Sequence, residues 1–168
     1  MIKITVENFI KQYEYSNDKD AFIKQHMTTK YVDILTKRVY AKNIADKCNH
    51  IAVGEKKIYK ADSLSTYIFF TLKLIELYTD IDLSAKDINL YTVYDQLNKN
   101  GLIDFIIGSI PENEYKEFKV ILDMETSDLH QNEYSVSALL YSIKESLSMS
   151  SEVFGKVLDN IDFGKIAK

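Results

Sequence analysis

The chain has 168 residues, 46% hydrophobic and 27% charged, with one proline and a formal net charge of −4. That length supports one domain with its own core, and the single cysteine, Cys48, excludes an internal disulfide framework. Arg38 is the only arginine among 21 basic residues, so the bidentate forks that read guanine are nearly absent, against sequence-specific DNA binding.

The opening stretch MIKITVENFIKQYEY alternates apolar and charged residues. It has no unbroken apolar run and no small-residue cleavage site, so no signal peptide is expected and the default is an intracellular soluble protein. Thr5 is placed to cap a first helix that turns Val6, Phe9, Ile10 and Tyr13 inward. The polar break Ser16-Asn17-Asp18 precedes a second helix over 19–27, carrying Phe22 and Ile23. Residues 28–35 read equally as extended chain or as a helix start. Thr36 then caps a helix to Cys48, with Tyr40, Ile44 and Cys48 at i, i+4 and i+8.

The pattern changes after His50. Ile51 and Val53 alternate, Gly54-Glu55 turns the chain, and Ile58 and Tyr59 form a second apolar group. These predict a β-hairpin over 50–60, made basic by Lys56, Lys57 and Lys60. Asp62 or Ser63 caps the next element, the apolar stretch LSTYIFFTLKLIELY. Leu64, Ile68, Leu72 and Ile75 share one helical face; Tyr67, Phe70, Leu74 and Leu77 share a second. A helix apolar nearly all round is a buried one, and each such side chain stabilises by roughly 1.5–3 kcal/mol. A central core helix over about 64–79 is the expectation. It falls short of the about 20 apolar residues a bilayer needs, and Lys73 and Glu76 interrupt it, so no membrane contact is expected.

Ser84 and Asp87 have capping-box spacing ahead of Ile88, Tyr91, Tyr94 and Leu97, and Asn100-Gly101 stops that helix. Residues 102–107 form a short buried helix ended by Ile110-Pro111. Pro111 at the first helical position, with Glu112 and Glu114 in the first turn, opens a long helix to Leu129 or Asn132. Ser135 and Ser150 cap two more. The fold expected is all-α: eight or nine helices and one small hairpin, as a single domain 1–168 with 148–168 a C-terminal helical extension.

The chemistry-bearing candidates are each outweighed by a plainer reading. Asp80-Ile-Asp82-Leu-Ser84 starts like a calcium loop, but the loop then needs glycine where Ala85 stands and a bidentate glutamate where Tyr91 stands. It reads as a helix-to-helix link whose acids cap the next helix. Cys48 and His50 lack the second half of a zinc site, and Cys48 lies on the apolar face of its helix. An enzyme would need the fold to bring Cys48 to a histidine. Glu125 and Asp128 share a solvated helix face, and Asp162-Phe163-Gly164 has no kinase loops around it. No catalytic residue, metal ligand or cofactor site is assigned, and the expectation is a non-enzyme. Twelve tyrosines and no tryptophan suit surfaces where an apolar body meets a wet edge. Tyr91 and Tyr94, on one face with Leu97, are candidate partner anchors, equally placed to be core; Lys56 and Lys57 are candidate contacts on the hairpin.

A resemblance adds to this. The stretches 77–82 (LYTDID), 97–104 (LNKNGLID) and 110–115 (IPENEY), with Phe118 and Leu122-Asp-Met124, resemble small proteins from the structural-gene modules of tailed phages and prophages of Gram-positive bacteria. The opening ITVENFI and Tyr31-Val32 fit the same group. The resemblance implies a virion structural or assembly protein at the head–tail junction or tail, including a tail assembly chaperone, binding other phage structural proteins. Its setting would be the virion or the host cytoplasm, with self-association open. The alternatives are a phage anti-defence inhibitor of a host immune effector, then an enzyme, then a regulatory nucleic-acid binder.

Overall fold

Caps and breaks set the element boundaries in the structure, a computed structural model that describes residues 3–53, 56–84 and 89–133, with only the backbone of 51–53, 56–59 and 132–133. A two-residue strand β1 (Ile4–Thr5) leads into α1 (Val6–Tyr15), where the Thr5 hydroxyl accepts from the Asn8 N–H at 3.4 Å. Asp18 caps α2 (Lys19–His26) through the Ala21 N–H at 2.9 Å. Helix α3 (Ile34–Cys48) starts earlier than the sequence suggests, because Asp33 is its cap and Thr36 is the donor. The Thr36 N–H and hydroxyl both reach the Asp33 carboxylate, at 2.9 and 2.7 Å. Those bonds, the hydroxyl's first, hold the Asp33 carboxyl below its usual range.

The hairpin forms as expected: β2 (His50–Val53) pairs antiparallel with β3 (Lys56–Tyr59), His50 opposite Tyr59. Asp62 then caps α4 (Ser63–Tyr78), and β4 (Ile81–Asp82) follows it. Helix α5 (Leu90–Lys99) is capped by Asn89, which accepts from the N–H groups of Tyr91 and Thr92. Ser84 is not its cap. Its N–H and hydroxyl fold back onto Asp82 instead, a tight local turn that competes with helix entry. Residues 85–88 of the expected capping box lie outside the described residues. Gly101, at φ +67°, makes the left-handed link to α6 (Leu102–Ser109), and Pro111 precedes α7 (Glu112–Glu133). The expected helices beyond Ser135 lie outside the described residues. Seven helices among the described residues make the fold all-α.

The core is divided by α4. Its Ile68, Leu72 and Ile75 join Val6, Phe9, Ile23, Val93, Leu97 and Ile106. Its Phe70, Leu74 and Tyr78 join Ala41, Ile44, Phe118 and Leu122. The two apolar faces read from the sequence therefore enter two different clusters, and α4 is the central helix. Its first turn departs from that reading: Leu64 and Tyr67 are 67% and 52% exposed.

The chain leaving α4 is a junction that sequence pattern does not reveal. Ile4–Thr5 pairs parallel with Ile81–Asp82, and the Ile4 N–H donates to the Asp80 carbonyl at 2.8 Å. Thr28 donates to the Tyr78 carbonyl at 2.8 Å, and Met27 bridges Thr79. His26 Nδ1 meets the Asp80 carboxylate at 2.9 Å, with the Phe9 and Phe22 rings against its imidazole. These bonds tie α1, α2 and α4 together where the packed helices leave backbone groups to be satisfied.

A charged cluster is also buried. Lys37 on α3 is fully buried, with Glu114 at 2.9 Å and Glu117 in direct contact, both from α7. Glu114 further accepts from the Tyr78 hydroxyl at 2.5 Å and from the Val32 N–H at 3.2 Å. Burial pushes Glu114 up, but the Tyr78, Lys37 and Val32 donors outweigh it and hold the carboxyl below its usual range. Burial likewise opposes the Lys37 charge, and Glu117 and Glu114 overcome it, leaving the ammonium raised.

Packing divides the chain into two compact units, Met1–Ser127 and Asp128–Lys168. The elements described above, apart from the last residues of α7, form the first. The expected extension 148–168 lies outside the described residues. No helix among the described residues is long and apolar enough to cross a membrane.

Candidate functional site

Among the exposed large apolar side chains, Tyr67 on α4 and Tyr91 on α5 are also held by partners from the other helix. Helix α5 turns Val93 and Leu97 into the core, and this orientation leaves Tyr91 at its edge, 45% exposed. Tyr91 is nevertheless fixed. Its hydroxyl lies 2.6 Å from Ser65 Oγ, and Ser65 Oγ lies 2.6 Å from Asp62 Oδ2. A serine has one proton to donate, and the carboxylate takes it, so the tyrosine donates to the serine. The Tyr91 ring also stands edge-on to Phe69, with centroids 6.2 Å apart. Tyrosine, serine and aspartate thus link α5 to the N-cap of α4.

Tyr94 behaves differently from Tyr91. It is partly buried and packs against the first core cluster, while its ring stands edge-on to Tyr67 at 6.1 Å. A hydrogen bond to Tyr67, burial, and the nearby carboxylates of Asp104 and Asp95 push the Tyr94 phenol up to about 12. Tyr67 and Leu64, read from the sequence as core, are instead exposed on α4. Apolar spacing identifies the helix face but not how far the neighbouring helices reach along it. One side of the start of α4 is left uncovered, while Ser65 on the other side is buried.

Lys56 and Lys57 lie on β3, and their side chains fall outside the described residues. Behind the hairpin, Cys48, His50, Asp62, Ser65 and Tyr91 line an open cavity of about 490 Å³. The fold therefore does bring Cys48 and a histidine to one cavity. Their chemistry does not favour a nucleophile. Burial pushes the Cys48 thiol up, and the Asp62 charge adds to this against Thr66 and Lys47, whereas a reactive thiolate needs a lowered pKa. His50 directs Nδ1 to the Asp46 carbonyl at 3.0 Å.

The calcium-like acids are engaged locally, Asp80 with His26 and Asp82 with Ser84. Glu125 pairs with Arg38 at 2.6 Å. No group of three or more histidine, cysteine, aspartate or glutamate side chains placed to hold a metal occurs among the described residues. Asp162-Phe163-Gly164 lies outside them. No family model, curated protein or solved structure matches the chain.

Proposed function

We propose that this chain is a non-enzymatic structural or assembly protein of a tailed phage that binds other virion proteins through the tyrosine face of α4 and α5. The observation that carries the reading is the combination of exposure and rigidity at Tyr91 and Tyr67. Each offers about half of its surface to solvent, yet Tyr91 is hydrogen-bonded into the α4 cap and Tyr67 packs edge-on against Tyr94. Large aromatic side chains that lose little freedom on binding are the usual anchors of protein interfaces. The resemblance of residues 77–82, 97–104 and 110–115 to phage structural-module proteins supports the virion setting. Stations that fit are the head–tail junction and the tail, including a chaperone holding a tail component before assembly.

Affinity capture of the tagged chain from phage-producing cells tests the reading, with partners identified by mass spectrometry. Enrichment of portal, connector, capsid or tail proteins supports it. Recovery of a host nuclease or immune sensor without virion proteins replaces it with an anti-defence role.

A further inference from the structure

We propose that the Tyr67–Tyr94 pair, flanked by Asp95 and Asp104, receives a lysine or arginine side chain from a basic segment of the partner. This rests on the reading of the tyrosine face as a docking surface and adds the chemistry of what docks there.

Three other tyrosines already carry a cation from their own chain. Lys19 lies 4.6 Å from the Tyr13 ring centre, Lys37 lies 4.7 Å from Tyr31, and Lys73 lies 4.4 Å from Tyr40. Among the described residues, no cation is placed over Tyr67 or Tyr94. Their rings meet at 69°, edge to face, which leaves Tyr67 with exposed ring surface beside the junction. A cation over such a ring is attracted by its negative face.

The charge around the pair has the complementary sign. Asp95 follows Tyr94 on α5 and Asp104 lies on α6; both are exposed, and both act as negative charges on the Tyr94 phenol. Neither makes an ion pair with a described residue, unlike Asp80, Glu114 or Glu125. Leu64, three residues before Tyr67 on α4 and exposed, adds apolar surface suited to the aliphatic stem of a lysine or arginine. Aromatic face, unpaired carboxylates and apolar rim together fit a basic side chain better than an acidic or purely apolar one.

The test is a titration of the full chain, labelled at tyrosine for NMR, with a capped hexalysine peptide and separately with hexaglutamate. Saturable movement of the Tyr67 and Tyr94 ring signals with hexalysine alone is expected. The double variant D95N/D104N, changed only at exposed positions, should weaken binding roughly fivefold. Tyr67→Leu, which keeps apolar bulk without the ring, should weaken it roughly threefold. Wild-type affinity in either variant, movement centred on other tyrosines, or no saturable movement overturns the proposal. The titration contains no virion component, so its failure leaves the capture result standing. A failed capture beside a positive titration leaves the basic-segment site standing without the phage assignment.

Discussion

Replacing Lys37 with methionine removes the ammonium that Glu114 and Glu117 both face, at nearly constant volume. The side chain is fully buried, Glu114 is 4% exposed and Glu117 34% exposed, so the consequences for the two acids differ. Glu117 turns to water. Glu114 stays, keeping its donors from Tyr78 and Val32 but losing its counter-ion. Removing one partner of a buried pair costs about 3–5 kcal/mol, and the two remaining donors put this case at the lower end, about 3 kcal/mol. For a domain stabilised by about 5–15 kcal/mol, that is a large share. Urea unfolding followed by circular dichroism reads it as a lower midpoint at unchanged slope. Adding Glu114→Gln should recover at least about 1 kcal/mol of the loss, the coupling expected of residues in one network. A Lys37→Met protein within about 0.5 kcal/mol of wild type, or strict additivity in the double variant, refutes the reasoning.

The same network predicts the pH profile. Glu114 binds its proton more weakly folded than unfolded, so its contribution is complete above about pH 5 and drains as pH falls through the carboxylate range. Lys37 and Tyr78 are both raised, Tyr78 chiefly by burial and its bond to Glu114, so their contributions hold below about pH 10 and drain above it. Urea midpoints across pH should form a plateau between those limits, and Glu114→Gln should flatten its acid side. Gly101→Ala should cost about 1 kcal/mol, since φ is +67° and nothing lies within 4 Å of the added methyl carbon; Gly101→Asn should cost less, and equal melting temperatures for all three proteins would contradict this. Cys48 should react with a thiol reagent in the folded chain far more slowly than free cysteine and at the free rate in urea; rapid native labelling would show an activated thiol instead.

Local chemistry was legible where it was strong. Thr5 capped its helix and Asn100-Gly101 ended α5. Beyond the exposed Leu64 and Tyr67, the two faces of α4 entered two clusters because a helix apolar nearly all round must be covered on more than one side. What the sequence hid depends on distant partners. Lys37 defaults to a solvated face until Glu114 and Glu117, on another helix, make its burial tolerable. The pairing of Ile4–Thr5 with Ile81–Asp82 involves strands too short for any alternation to show. Tyr91 and Tyr94 were a single candidate pair in the sequence, yet one is an exposed edge and the other a partly buried support for Tyr67.

The most direct measurement of the central claim is quantitative capture from phage-producing cells with wild-type chain beside the double variant Y67A/Y91A. Both residues are about half exposed, so unfolding curves should show the variant still folded. The account predicts virion proteins enriched by the wild type and reduced at least about tenfold with the variant, as expected for interface anchors. Equal recovery of virion proteins by both chains would move the interface elsewhere, and recovery of none by the wild type would contradict the phage-assembly reading itself.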